Sequence, residues 1–226
     1  VAVGTQVALE DERPAGGQQQ PRHIEQQRIR GAVEIVRAFG VAPAALGLEP
    51  LRLEITDIVQ PFIDREPAIS DRRKGNLMAR SRMMTWFDQA MAWNALVAGT
   101  SNRTEYLLGY FTIYGDGAAS FEPLWHLYKE QVRALARHVG ILEEILHKAP
   151  SADLWAGQTD EGELGFTYAE ADAILYLATE CGLSPEAIAA EGLDPGVVAA
   201  ILGRMRATEF KRLPMPSLST KGRCTL

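Results

Sequence analysis

The run Ala95-Leu-Val-Ala98 is short, wholly apolar and stopped by Gly99-Thr100. A strand with no polar side is most easily buried on both faces of a parallel sheet, with helices packed above and below. It follows the stretch Asn76 to Trp93, in which Leu77, Met84, Phe87 and Met91 fall on one helical face. A helix leading into a buried strand is α/β grammar. Earlier in the chain, Ile29, Ala32, Val33, Val36 and Phe39 recur at helical spacing up to Gly40. Leu51, Leu53 and Ile55 then alternate with Arg52, Glu54 and Thr56 at the period of a half-buried strand. Further helices are predicted over Leu124 to Val139, Ile141 to His147 and Tyr168 to Cys181, with Asp194-Pro195 opening another through Ala207.

With 226 residues, 46% of them hydrophobic, the chain is long enough for one domain with a substantial core. Residues 1–22 are rich in Gly, Gln and Pro without a sustained period and read as a disordered arm; 23–213 form the domain, and 214–226 a tail. The net charge of -6 disfavours a general nucleic-acid binder, because an acidic surface repels polyphosphate. No apolar run approaches the ~18 residues that span a bilayer, so no membrane partner is expected. Only Cys181 and Cys224 are present, which argues against a disulfide framework and for a cytoplasmic setting.

In an open parallel sheet, ligands bind beyond the carboxyl ends of the strands. Gly99-Thr-Ser-Asn-Arg-Thr-Glu105 lies at such a position, between the buried strand and a helix over Arg103 to Tyr110. Thr100 could bond a nucleotide and Glu105 could hold Mg²⁺. The same spacing also fits a capping box, with Asn102 as N-cap and Glu105 reaching back to its amide. Arg72, Arg73, Lys74, Arg80 and Arg82 concentrate cations in an acidic chain, either as an anion site or as a solvated helix face. Lys129 could neutralise a leaving pyrophosphate, and the turn Tyr114-Gly-Asp-Gly117 could present Asp116. The four histidines show no zinc-ligand spacing, and no G-x-S-x-G, Walker or G-x-G-x-x-G motif occurs.

Six blocks, taken in order, carry a more specific message. They are Lys74-Gly-Asn-Leu-Met-Ala-Arg-Ser-Arg-Met83, Gly99 to Thr112, Tyr114-Gly-Asp-Gly117, His126-Leu-Tyr-Lys-Glu-Gln-Val132, Pro150-Ser-Ala-Asp-Leu-Trp155 and Asp160-Glu-Gly-Glu-Leu-Gly165. Together they resemble ammonia-dependent NAD synthetase, from about Ala32 to Pro214. The resemblance implies an adenine-nucleotide-hydrolase-like (Rossmann-like) parallel sheet flanked by helices, and a homodimer. It also implies a ligase that adenylates deamido-NAD with ATP and Mg²⁺, then lets ammonia displace AMP. By the same resemblance Thr100, Lys129 and Ser151 would contact ATP, Lys129 would stabilise the departing pyrophosphate, and Glu105 would bind Mg²⁺. Arg80 and Lys211 would contact deamido-NAD, while Asp116 would help ammonia arrive unprotonated, a role that a nearby carboxylate can fill.

The sequence departs from that pattern in places. The family's opening strand and Ser-Gly-Gly-x-Asp-Ser loop, whose amides cradle pyrophosphate, have no counterpart, since no Ser-Gly pair occurs. The expectation is therefore a sheet lacking its first strand, N-terminal truncation and impaired turnover. Ile113, Ser120 and Phe210 stand where the resemblance implies Lys, Asp and His in contact with deamido-NAD. A non-catalytic nucleotide-binding or dimerising relative is the alternative.

Overall fold

The computed structural model describes residues 5–7, 53–141, 143–151 and 157–214. The helix expected over Ile24 to Phe39 lies outside them. Of the arm expected over 1–22, Thr5–Val7 is described: it forms β1 and pairs antiparallel with β2, Leu96–Ala98. On its other edge β2 accepts hydrogen bonds from Ser120 (2.8 Å) and Phe121 (3.3 Å) at the Val97 carbonyl, and Ala98 forms a parallel bridge with Phe121. The strand is therefore real, with Val97 and Ala98 buried but Leu96 56% exposed, and the described sheet is small and antiparallel rather than a broad parallel one. Antiparallel pairing needs no crossover helix, so a three-residue segment suffices to cover that edge.

The alternation at Leu51 to Thr56 does not make a strand within the described residues. Leu51 and Arg52 fall outside them, Leu53 to Ile55 are irregular, and helix α1 runs Thr56–Asp64. Ile55, Ile58, Val59 and Phe62 also satisfy helical spacing, and buried Ile55 and Val59 anchor that face. The Thr56 amide donates to the Glu54 carboxylate at 3.0 Å, starting the helix.

Helix α2 spans Asp71–Ala92 and delivers the chain into β2. Three of the apolar side chains that share a face by spacing, Met84, Phe87 and Met91, stay exposed. Met91 is 84% exposed and Met84 52%, whereas the residues the helix buries are Gly75, Ala79, Ser81 and Ala90. Small residues let a neighbouring backbone approach: a Cβ on Gly115 would lie 3.0 Å from that of Ala79.

Beyond β2 come α3, Arg103–Leu108; α4, Lys129–His138; α5, Glu143–Leu146; and α6, Asp160–Leu164. Then follow α7, Tyr168–Thr179; α8, Pro185–Ala190; α9, Pro195–Ala207; and a 3₁₀ turn, Glu209–Lys211. The main core lies among α3, α7, α8 and α9, where Leu108, Ile174, Leu175, Ile188 and Ile201 have no exposed surface. Each such side chain contributes about 1.5–3 kcal/mol relative to an exposed one. Helix α9 starts as its sequence predicts, with the Asp194 carboxylate accepting from the amides of Gly196 (2.8 Å) and Val197 (3.0 Å). Among the described residues no helix is long and apolar enough to cross a membrane.

Candidate nucleotide and amide-forming site

The loop after β2 carries the first part of the site. Gly99 is buried against Glu122, and a Cβ there would fall 2.1 Å from the Glu122 carboxylate. The Ser101 amide donates to that carboxylate at 3.1 Å. Burial pushes Glu122 up to about 7, against the pull of the Ser101 amide and helped by the charges of Glu105 and Asp116. Thr100 follows, half-buried at the end of β2.

The capping box foreseen in this loop forms. Asn102 accepts from the Glu105 amide at 3.0 Å, and Glu105 Oε2 accepts from the Asn102 amide at 3.2 Å. The box does not exhaust Glu105, because its Oε1 accepts from Lys129 Nζ at 3.0 Å, with only 15% and 19% of the two side chains exposed. Burial alone would raise Glu105, but Lys129 and the Asn102 amide hold it below the usual carboxylate range. Glu105 thus both closes the capping box and pairs with Lys129.

Lys129 is the first residue of α4, and its ammonium also sits 4.8 Å above the Tyr168 ring. The Tyr168 hydroxyl donates to Asp160 at 2.9 Å, and the Tyr110 hydroxyl donates to Asp160 at 3.2 Å and to Glu163 at 3.0 Å. Burial, followed by Glu105 and Asp160 at Tyr168 and by Asp160 and Glu163 at Tyr110, pushes both phenols up, so they remain hydrogen-bond donors. Ser151 is buried, and the carbonyl of Pro150 just before it accepts from the Asp160 amide at 2.8 Å. Glu105, Lys129 and the Pro150-Ser151 segment are thereby joined through Tyr168 and Asp160.

A second group forms around the loop after α3. Asp116 accepts from the Thr112 amide at 2.9 Å, and burial raises its carboxyl against that bond. Arg80 donates from Nε to the Ile113 carbonyl at 3.2 Å, while Asn76 accepts from the Thr112 hydroxyl at 2.9 Å. Lys211 donates to the carbonyls of Gly109 (2.7 Å) and Phe111 (2.6 Å) at the base of the same loop. Burial, then repulsion from Arg204 and Arg72, lowers its ammonium. Tyr114 adopts φ +56°, a left-handed conformation costly for an aromatic residue. Arg80, Asp116 and Lys211 thus share one loop, and the charges of both Glu105 and Asp116 act on Glu122.

Sequence reasoning did not single out Glu122, Tyr110, Tyr168 or Asp172. Tyr168 and Asp172 had a partial signal, since Thr167-x-x-Glu170 is a capping box that places both on one face of α7. Glu122 had none. Among the described residues no three His, Cys, Asp or Glu side chains gather as a metal cage. A lone carboxylate still suits Mg²⁺, which keeps its waters and shares ligands with phosphates. Glu105 has accepted two hydrogen bonds of about four that an ionised carboxylate can take.

A family profile described as NAD synthase matches residues 5–215. The chain belongs to the NAD synthase family. It is 47% identical over 172 residues to the NH3-dependent NAD(+) synthetase of Chlorobium phaeovibrioides, covering 75% of this chain and 62% of that protein. It is 42% identical over 174 residues to the same enzyme of Chlorobaculum parvum, covering 77% and 62%. The chain therefore spans less than two thirds of the length of these curated relatives. Among solved structures it is similar to the NH3-dependent NAD synthetase of Campylobacter jejuni, with a TM-score of 0.66, 32% identity, and coverage of 86% of this chain and 75% of that one. It is also similar to the NMN synthetase of Francisella tularensis, with a TM-score of 0.67, 33% identity, and coverage of 82% and 70%. The α/β expectation thus stands at the level of its structural relatives.

Proposed function

We propose that this chain supplies the synthetase site for ammonia-dependent amidation of deamido-NAD. The observation that carries the reading is the buried Lys129–Glu105 pair at the mouth of β2, in a chain that is 47% identical to an NH3-dependent NAD(+) synthetase over 172 residues. The nicotinate carboxylate attacks the α-phosphorus of ATP, its oxygen forming the new P–O bond while the bond to the β-phosphate oxygen breaks and pyrophosphate leaves. Ammonia then adds to the acyl carbon, AMP departs with the bridging oxygen, and nitrogen loses a proton to leave the amide of NAD.

Lys129 can turn from Glu105 toward the phosphates, carrying positive charge to where negative charge develops. Thr100 and Ser151 contact the nucleotide from the loop after β2 and from the segment after Pro150. Mg²⁺ held by Glu105 would offset phosphate charge. Asp116 draws ammonium into the loop and takes its proton, a task that suits a carboxyl raised by burial. Arg80 and Lys211 bracket the same loop and contact deamido-NAD. The exposed Met84, Phe87 and Met91 on α2 give a homodimer an apolar face, and the cytoplasm remains our expected location.

A coupled assay for NAD from deamido-NAD, ammonium and ATP tests the reading, alongside calorimetry with Mg-ATP. Turnover that Lys129→Ala abolishes is expected. Failure to bind Mg-ATP would overturn the enzyme and favour the non-catalytic dimerising alternative.

A further inference from the structure

At the start of helix α4 the Gln131 side chain reaches back to accept from the Tyr128 amide at 2.9 Å, which leaves the amides of Lys129 and Glu130 to find acceptors elsewhere. The N-cap residue is Tyr128, whose hydroxyl bonds Thr179 (3.1 Å) and Glu180 (3.3 Å) on and just beyond α7, so it takes none of the first-turn amides. The first amides of a helix have no intrahelical acceptor and need one from elsewhere. They find it on two other helices. The Lys129 amide donates to Thr104 Oγ1 on α3 at 3.0 Å, and the Glu130 amide donates to Asp172 Oδ2 on α7 at 2.7 Å. The Thr104 hydroxyl in turn donates to Asp172 Oδ1, so one carboxylate closes the whole arrangement. Asp172 is 9% exposed and Thr104 fully buried.

The two ends of Lys129 are held by neighbouring residues on those same helices. Thr104 takes its amide and Glu105, the next residue, takes its ammonium. On α7, Asp172 closes the backbone clamp, while Tyr168, one turn earlier, lies beneath the ammonium. A carboxylate at this helix end is favoured by the exposed N–H groups and by the helix dipole. We infer that Asp172 is a positioning residue for Lys129: through Thr104 and the Glu130 amide it fixes where α4 starts, and hence where the lysine ammonium meets a nucleotide. This rests on the proposed role of Lys129 at ATP phosphates, where a shift of about 1 Å is enough to cost function.

The test is a double-mutant cycle on the full chain, read as the dissociation constant of Mg-ATP by calorimetry. Asp172→Ala should weaken binding roughly 5- to 30-fold, the equivalent of a lost charged cap. Asp172→Asn, which keeps an acceptor for the Glu130 amide, should lose less. In a Lys129→Ala background, adding Asp172→Ala should change binding less than about twofold, because the residue it positions is gone. An equal loss in both backgrounds would overturn the inference and make Asp172 a general stabiliser. Amide hydrogen exchange at Lys129 and Glu130 reads the clamp without nucleotide. Asp172→Ala should speed exchange there while the middles of α4 and α7 keep their protection, and unchanged exchange at both amides would refute the clamp. If Lys129→Ala alone leaves Mg-ATP binding intact, the phosphate role of Lys129 fails, and the exchange result still decides whether Asp172 sets the helix start.

Discussion

Replacing Glu105 with Gln isolates its ion pair with Lys129 from its part in the capping box. Glutamine at the third helical position still accepts from the Asn102 amide, so the box survives. What goes is the charge opposite an ammonium 3.0 Å away, with less than a fifth of either side chain exposed. Exposed pairs contribute about 0–1 kcal/mol, whereas stripping one partner from a buried pair costs about 3–5 kcal/mol. This site lies nearer the second limit, so we expect a loss of about 2–3 kcal/mol. For a chain of this size that lowers the melting temperature by about 4–12 °C. The pH dependence supplies the sharper check. Glu105 titrates below its ordinary range in the folded protein, so its contribution is present above the unfolded-state pKa and is lost as pH falls through the lower folded value. The gap between wild type and Glu105→Gln should therefore be full at pH 7 and shrink toward pH 3 in differential scanning calorimetry. A melting shift under about 1 °C, or a gap of the same size at both pH values, would refute the pair as a stabilising element.

Three other expectations follow from single contacts. Gly109 caps α3 at φ +58°, and a Cβ there would lie 2.4 Å from Thr208 Cβ, so Gly109→Ala should cost about 2–4 kcal/mol in urea unfolding; an unchanged midpoint would contradict the close approach. Glu122, held near 7, binds its proton more tightly when folded, so the stability it lends below its unfolded pKa is lost as pH rises through 7. Glu122→Gln should accordingly melt higher than wild type at pH 8, by about 1–2 kcal/mol after allowing for its half-exposed position, and match it below about pH 4.5; a pH-independent difference would count against this. Lys211→Met frees the Gly109 and Phe111 carbonyls and should weaken deamido-NAD binding at least fivefold while changing Mg-ATP affinity less than twofold, with calorimetry on both ligands as the check; the reverse pattern would place Lys211 elsewhere.

Local signals read well where they act locally. Asp194-Pro195 announced α9, Asn102 and Glu105 announced α3, and the apolar run ending at Gly99 announced β2. On α2 periodicity shows that apolar residues share a face, not whether anything covers it. The alternation at Leu51 to Thr56 runs into irregular backbone at Leu53 to Ile55, and the helical spacing of Ile55, Ile58, Val59 and Phe62 takes over from Thr56, with Ile55 and Val59 buried. Within the site, the Lys129–Glu105 pair joins residues 24 apart in sequence, and only the order of motifs hinted that they meet. Asp172 was beyond reach for a clearer reason. A carboxylate that caps a helix 42 residues away leaves no local pattern, because its partners are backbone amides that every sequence has.

The carboxyl end of α3 is gripped by side chains from much later in the chain. Arg204 donates to the Leu108 carbonyl 96 residues away, Lys211 to Gly109 across 102, and Arg212 to Leu107 across 105. During synthesis, the short helix α3 therefore emerges long before the cations that fasten it. Until they leave the ribosome, those carbonyls are met by water. The carboxyl end of α3 is thus fastened late, once Arg204, Lys211 and Arg212 dock.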